Sequence, residues 1–436
     1  MRQVSSLHAT RLLSCSLLFV AFAGCDESGD GGGGSGGAGG SGGAANGPTY
    51  YADTKPIFDG RCAGCHVAGG IAPFALTTYA EVESHKASIR NAVESRTMPP
   101  WPASQGCNEY LNDRSLTDEQ IATMLAWVDA GALEGDPADE GAALPPTDQR
   151  PLSRVDLEVG MQAEYTMGDT PDDYRCFVLD WPEASLEYVT GMSVRPGNAQ
   201  VVHHVIAYLA PPDVVAEAQA LDDAEPGDGY TCFGGPGFRG GWLGAWAPGS
   251  AGSDYPDGTG IPVEPGSKIV MQVHYNSLTA GVQPDLTTLE MKLDSTVAKE
   301  AVLQPWTNPV WVGSDAMKIP AASKDVTYEW DQSPLLLTAN QPILVHAQGL
   351  HMHQLGQSAR LSVLRADGGE TCLLDIPSWN FHWQGSYPLT EPVRLDPGDK
   401  LHLECTWDNP TMADVTWGEG TQDEMCLGTF YYTLAD

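Results

Sequence analysis

The chain has 436 residues, 42% of them hydrophobic, with 57 acidic residues against 22 basic ones and a formal net charge of −35. That length allows roughly two to four domains of about 100–200 residues each, with apolar material enough for sizeable cores. An acidic excess on this scale repels phosphate backbones, which excludes nucleic acid as a partner and favours solubility without fixing a fold.

The chain opens as an export signal, with Arg2 and Arg11 ahead of an apolar run, Leu12 to Ala23, that is too short for a comfortable membrane span. The run ends Phe22-Ala23-Gly24-Cys25, which resembles a bacterial lipobox with Phe22 where that motif usually has Leu. Cys25 is therefore the expected lipidation site, closing a signal over residues 1–25; ordinary cleavage near the same point is the alternative. Either way the protein is expected outside the cytoplasm, as a membrane-anchored lipoprotein of the periplasm or outer surface, where disulfides and c-type haem form. Residues 29–47 are almost entirely Gly, Ser and Ala, and the stretch 26–48 reads as a flexible tether.

Residues 49–136 read as a helical unit. Thr117-Asp118-Glu119-Gln120 fits a capping box, Leu116 and Ile121 suit its hydrophobic staple, and Ile121, Met124, Leu125 and Val128 recur at helical spacing before a stop at Gly131. A second helix is expected over Ala80 to Glu94. Residues 134–150, rich in Pro, Asp, Glu and Gly, read as a linker. Beyond it the texture changes to short β-prone runs between turn residues: Ala199–Leu209, Lys268–Asn276, Leu286–Leu293, Ile343–His353, Ala359–Leu364, Lys400–Trp407 and Thr429–Leu434. That many residues suggest two sandwiches, 150–290 and 291–436. The expected fold class is thus multi-domain: a small all-α, cytochrome c-like domain followed by two all-β, jelly-roll-like sandwich domains.

Cys62-Ala63-Gly64-Cys65-His66 has the form of a covalent haem site, in which two thiols add to the haem vinyl groups and His66 ligates the iron. A dithiol or zinc pair is the alternative. Thr97-Met98-Pro99-Pro100-Trp101 resembles the methionine loop of small cytochromes c and makes Met98 the expected sixth ligand, with His85 as its competitor and Met124 as core.

His351 and His353 are one residue apart, so on a strand their side chains share a face about 6.5–7 Å apart and can meet on one metal. Met352 then points away into packing, and Met425 offers a thioether, which suits copper better than zinc. His203 and His204 are adjacent, and neighbours on a regular strand face opposite ways. Either one is a ligand and the other a core residue, or both serve through bent backbone or different ring nitrogens. His274, within Val270-Met271-Gln272-Val273-His274-Tyr275, would be structural if read alone.

Taken in order, His203-His204, then Gln272-Val273-His274-Tyr275, then His351-Met352-His353, then Asp423-Glu424-Met425-Cys426, resemble the copper type II ascorbate-dependent monooxygenases, the family of peptidylglycine α-hydroxylating and dopamine β-monooxygenases. The resemblance covers about 170–436. It implies two copper ions on two sandwiches facing a cleft. His203, His204 and His274 would form an electron-storing centre, and His351, His353 and Met425 an oxygen-activating, catalytic one. It also implies disulfides Cys405–Cys426 and Cys176–Cys232. Cys107 and Cys372 are left without assigned partners; a bridge between them would clamp the haem unit to the second sandwich. The substrate-carboxylate clamp of the peptide-hydroxylating enzymes is missing, since its positions read Gly349, Leu427 and Thr429. An apolar or neutral small molecule is the better expectation. His346, His382 and His402 read as structural or surface residues, and Trp242, Trp246, Trp379, Trp383, Trp407 and Trp417 as core or cleft lining.

The resulting expectation is a copper monooxygenase that hydroxylates a C–H bond of a small organic molecule with O2, taking electrons through the haem from an external donor, with ascorbate as a further reductant. The rival reading is a non-enzymatic haem and copper electron-transfer lipoprotein, against which the vacant position of a His2Met site argues.

Overall fold

Runs rich in Val, Ile, Leu and Tyr, bounded by Gly, Pro and Asp turns, favour pleated, half-buried backbone. They form strands throughout the computed structural model, which describes residues 47–68, 72–144, 152–168, 170–247, 252–278 and 280–436. The export signal, Cys15, Cys25 and the Gly/Ser tether lie outside the described residues.

In the first half, Lys268–Asn276 is the central strand, paired antiparallel with Asp172–Asp180 on one edge and Val202–Ala210 on the other. Thr288–Asp294 lies between Leu157–Gly160 and Glu187–Arg195. Both groups of strands bury side chains in one core that includes Met192, Leu243, Ile269, Met271, Leu289 and Met291. In the second half, Ser323–Gln332, Lys400–Asn409, Gly356–Leu364 and Glu370–Ile376 make a four-stranded sheet. Ile343–His351, flanked by Ser386–Leu395 and Leu427–Leu434, shares its core through Ile343, Val345, Leu361, Leu403, Trp407 and Phe430. Lys299–Trp306 pairs with Leu427–Leu434 on one side and Gly241–Trp246 on the other, so strands of both halves run into one fourteen-stranded sheet. The two histidine-bearing regions are therefore held on a common scaffold.

The expected architecture needs correction at its N-terminal end. The protein is mostly β, 39% strand against 15% helix, and its α-helices are short, five of them among the described residues. Among the described residues no all-α, cytochrome-like domain stands apart, and residues 47–436 form one compact unit. The physical reason lies in where the helical segment spends its apolar side chains. Tyr50, Phe58, Val82, Ile89, Met124 and Trp127 make a small core of their own. Ala103 and Tyr110, between the helices, instead join the core of the second sandwich. Cys107 is bonded to Cys372, Tyr110 Oη donates to the Leu373 carbonyl at 2.9 Å, and Ser104 Oγ donates to Asp375 at 2.8 Å.

Local expectations fared better than the domain reading. Thr117 and Gln120 form the capping box of Asp118–Asp129, and Gly131 at φ 95° follows its end. Met124, expected as core, and Trp127 are the buried residues of that helix. The helix expected over Ala80 to Glu94 is broken at His85 into Tyr79–Ser84, opened by its own Thr78/Glu81 capping box, and Lys86–Glu94. Among the described residues no helix is long and apolar enough to cross a membrane.

Candidate active site

The neighbouring histidines are reconciled by a β-bulge. His204 stands opposite His274 in the antiparallel ladder, but Tyr275 pairs with Val202, so His203 is the extra residue on its strand. A bulged residue escapes the strict alternation of side chains. His203 and His204 can thus turn to one side, and cross-strand pairing brings His274 to them. The Nδ1 atoms of His203 and His204 are 3.4 Å apart, as are those of His204 and His274, and ligand atoms of all three lie within 4.8 Å of one another. Three nitrogens bound at about 2.0 Å to one ion in trigonal or tetrahedral array would be separated by about 3.3–3.5 Å. The cluster therefore fits a metal through the same ring nitrogen of each residue, by the bent backbone that was one of the two alternatives.

Its electrostatics suit ligation. Burial, then the neighbouring imidazoles, push His203 down to about 3 and His204 well below the usual histidine range. Burial also lowers His274, against the pull of Asp172, which accepts from its Nε2 at 2.9 Å. Neutral imidazoles offer a lone pair, which a metal requires. Asp172 is opposed by its own burial, yet donors from His274, Asn276 and Thr421 hold it well below the carboxylate range.

The second set is built differently. Ile343–His351 ends at His351, so His353 lies just past the strand rather than on it. It is fixed from outside: its backbone N–H donates to Glu424 at 2.9 Å, and its Nδ1–H donates to the Asp423 carbonyl at 2.9 Å. His351 Nδ1–H donates to Gln384 Oε1. Both rings, 5.0 Å apart, are left with Nε2 for a metal. Met352 is fully buried in the core, as its alternation demanded. Met425 is 5% exposed and lines the same cleft as His351 and His353; it lies just before the strand Leu427–Leu434, next to the Cys426–Cys405 bond. Burial, then the His351 charge, lower His353 to about 3, and burial lowers His351 against Gln384.

The two sets face each other across a cleft of about 500 Å³, with the rings of His204 and His351 only 6.3 Å apart between centroids. Phe381 stacks on His203 at 4.9 Å and stands 6.1 Å from His353. Tyr208, Trp242, Trp246 and Trp417 line the walls. Gly349, Leu427 and Thr429 also line it, where the carboxylate clamp would stand.

Other expected residues fall as follows. Cys176–Cys232 and Cys405–Cys426 are bonded, as is Cys107–Cys372, so the three disulfides use six cysteines and leave out Cys62 and Cys65. Those two and His66 occupy a helical turn that continues Lys55–Arg61, with the His66 N–H donating to the Cys62 carbonyl. Burial pushes the Cys62 thiol up to about 12. His66 Nδ1–H donates to the Phe74 carbonyl at 3.0 Å, which leaves Nε2 for a ligand. Phe74 stacks on His85 at 4.0 Å. Met98 is half-buried in the turn after Lys86–Glu94. His346 donates or accepts against Thr433, His402 contacts Asp331, and His382 is exposed on the cleft rim. Trp379 and Trp407 brace the second set, donating to the His353 carbonyl and to Glu424. Asp172, Gln384 and Glu424 were not foreseen, because a single acid or amide carries no pattern; only the Asp-Glu beside Met425 hinted at one.

A double-sandwich β protein with a three-histidine cluster facing a His/His/Met set has the donor chemistry of a two-centre copper protein. Residues 159–281 match the N-terminal domain, and residues 310–435 the C-terminal domain, of the copper type II ascorbate-dependent monooxygenases, and the chain belongs to that family. Among its relatives, tyramine β-hydroxylase of Caenorhabditis briggsae is 26% identical over 73% of this chain and 55% of that protein. DBH-like monooxygenase protein 1 of Homo sapiens is 24% identical over 74% of this chain and 56% of its own length. Dopamine β-hydroxylase of Bos taurus is 25% identical over 59% and 43%. The chain thus spans about half the length of the curated relatives it matches.

Proposed function

We propose that the protein is a copper monooxygenase that inserts one oxygen atom of O2 into a C–H bond of a small organic substrate. The observation that carries this reading is the gathering of His203, His204, His351, His353 and Met425 on one cleft, with His274 clustered with the first two, the sets offering Nδ1 and Nε2 respectively. His203, His204 and His274 would hold one copper, and His351, His353 and Met425 the other. Copper bound there supplies single electrons at the first centre and an oxygen-activating position at the second. The chain's own part is to keep the imidazoles neutral by burial, to fix each tautomer from behind, and to keep the substrate between two rigid walls.

The walls favour an aromatic or apolar, uncharged substrate. Gly349, Leu427 and Thr429 offer no cation for a carboxylate. Burial pushes Glu419, the carboxyl beside Trp417, up to about 7, so it carries less negative charge than an ordinary carboxylate. Ascorbate is the reductant the family implies. A haem joined to Cys62 and Cys65, with His66 and then Met98 as ligands, is a second source of single electrons from an external donor. What supports it is the turn geometry of the motif and the orientation of His66. Export is supported by the three disulfides, which form in oxidising compartments; anchoring through Cys25 completes that reading.

Copper loading of the purified chain tests the proposal. The wild type should take two coppers and give two type II Cu(II) signals in electron paramagnetic resonance, and His351→Ala and His203→Val should each take one. An O2-dependent product heavier by one oxygen should appear only with the wild type. Two coppers without any oxygenated product across a metabolite screen would favour the electron-transfer reading instead. Reduced haem should be reoxidised by O2 only with copper and substrate present; reoxidation unchanged in His351→Ala would remove the haem from the pathway.

A further inference from the structure

We infer that Asp172 is a positioning residue that couples the two metal sets, orienting His274 on one side and tethering the loop that presents Met425 on the other. This rests on the copper reading above and extends it to residues that touch neither metal.

Asp172 opens the strand Asp172–Asp180 and pairs in register with Asn276. One of its oxygens, Oδ1, accepts three hydrogen bonds: from His274 Nε2 at 2.9 Å, from Asn276 Nδ2 at 2.8 Å and from Thr421 Oγ1 at 2.8 Å. The first bond settles the His274 tautomer, putting the proton on Nε2 and the lone pair on Nδ1, where the cluster converges. Such carboxylate–histidine–metal arrangements fix ring orientation and raise ligand basicity. The third bond crosses the molecule. Thr421 belongs to the second half, four residues before Met425, and is 5% exposed, so solvent competes little for its hydroxyl. A second tie runs in parallel: Tyr174, stacked on His274 at 4.0 Å, donates its hydroxyl to the Glu419 carbonyl in the same loop.

A carboxylate suits this post because its negative charge strengthens all three bonds to Oδ1. An asparagine at 172 loses that charge and puts a donor NH2 group where the second oxygen stands. The coupling therefore predicts that a change behind one copper is felt at the separation of both, since the ties from Asp172 and Tyr174 join the His274 side to the loop that leads to Met425.

The test uses the copper-reconstituted full chain with Asp172→Asn, Thr421→Val and Thr421→Ser. Asp172→Asn should weaken copper binding at one of the two sites by about 10–100-fold and change the hyperfine splitting of one Cu(II) signal, with the other unaltered. Thr421→Val should keep both affinities within about twofold, given that it leaves the His274 bond intact. It should nevertheless weaken the half-field signal that two nearby Cu(II) ions give, and Thr421→Ser should restore it. Wild-type affinity and hyperfine splitting in Asp172→Asn would overturn the orienting role. An unchanged half-field signal in Thr421→Val would overturn the coupling, and because that variant keeps the side chain's volume, it decides the matter even if Asp172→Asn fails to fold. A wild type that binds no copper overturns the underlying reading and this inference together.

Discussion

Single carboxyls carry much of the site's energetics. Glu424 is fully enclosed, yet its oxygens accept from His353 N at 2.9 Å, Leu355 N at 2.6 Å and Trp407 Nε1 at 2.9 Å. Burial pushes it up to about 7 against those donors. Glu419 has the same elevation with less compensation, since burial and the nearby Asp423 both raise it from 4.5 to about 7. The consequence for stability has a definite sign. Below about 4.5 the folded and unfolded chains both hold the Glu419 proton. Between about 4.5 and 7 the unfolded chain releases it first, so rising pH favours unfolding; above about 7 the cost is constant. Glu419→Gln should remove that fall, leaving the variant more stable than the wild type at pH 8 by up to about 3 kcal/mol and equal to it near pH 4. Thermal unfolding across that range checks it, and parallel curves for the two proteins would refute it.

Among the elements, the strand Ile343–His351 shows how the cleft is shaped. Gly349 pairs with Thr429, and a Cβ placed on it would lie 2.9 Å from Thr429 Oγ1 and 3.1 Å from the Gly385 carbonyl. An arginine there, the residue of the missing clamp, would strain the strand instead of recreating the clamp. Gly349→Arg is expected to cost about 1–3 kcal/mol in denaturant unfolding and to confer no binding of a glycine-terminated peptide; a stable variant that binds one would refute this. The strands themselves were legible in the sequence: Lys268–Asn276 lies where its alternating apolar run put it, and Val202–Ala210 and Leu427–Leu434 are displaced by two or three residues. That His203, His204 and His274 would meet was legible as well, but only from the order of motifs shared with the family, since each motif alone is weak. What escaped was set by pairing between distant segments. The bulge at His203 is defined by its partner strand, and His353 is fixed by Glu424, seventy-one residues on. The break at His85 escaped because the helical pattern runs through it unchanged.

At the scale of the whole molecule, the helical segment is an appendage stitched to the second sandwich, and this is what sequence periodicity could not foresee. Residues 49–136 carry helical patterns, but Trp101, Tyr110 and Tyr387 meet edge-to-face at 5.0–6.0 Å between centroids, with the Arg114 guanidinium 5.4 Å from the Trp101 ring. Tyr387 stands between Ser386 and Pro388, both on the cleft, and pairs with Gln348 in the strand of His351. The Cys62–His66 turn thus belongs to a segment docked on the His351 half. The Cys107–Cys372 bond closes 265 residues of chain, and removing such a link widens the unfolded ensemble. The aromatic contacts and the hydrogen bonds of Ser104 and Tyr110 remain, so the segment should stay docked while opening more often. The double variant Cys107→Ser, Cys372→Ser is therefore expected to lose about 2–5 kcal/mol of stability, to be cut faster by protease between residues 95 and 118, and to keep two coppers per chain. Unchanged proteolysis would show that packing alone holds the segment. Loss of a copper would show that the bond also supports the His351 strand, to which the strand of Cys372 is joined by the Gln348 Nε2 donation to the Leu373 carbonyl at 3.0 Å and by the shared core.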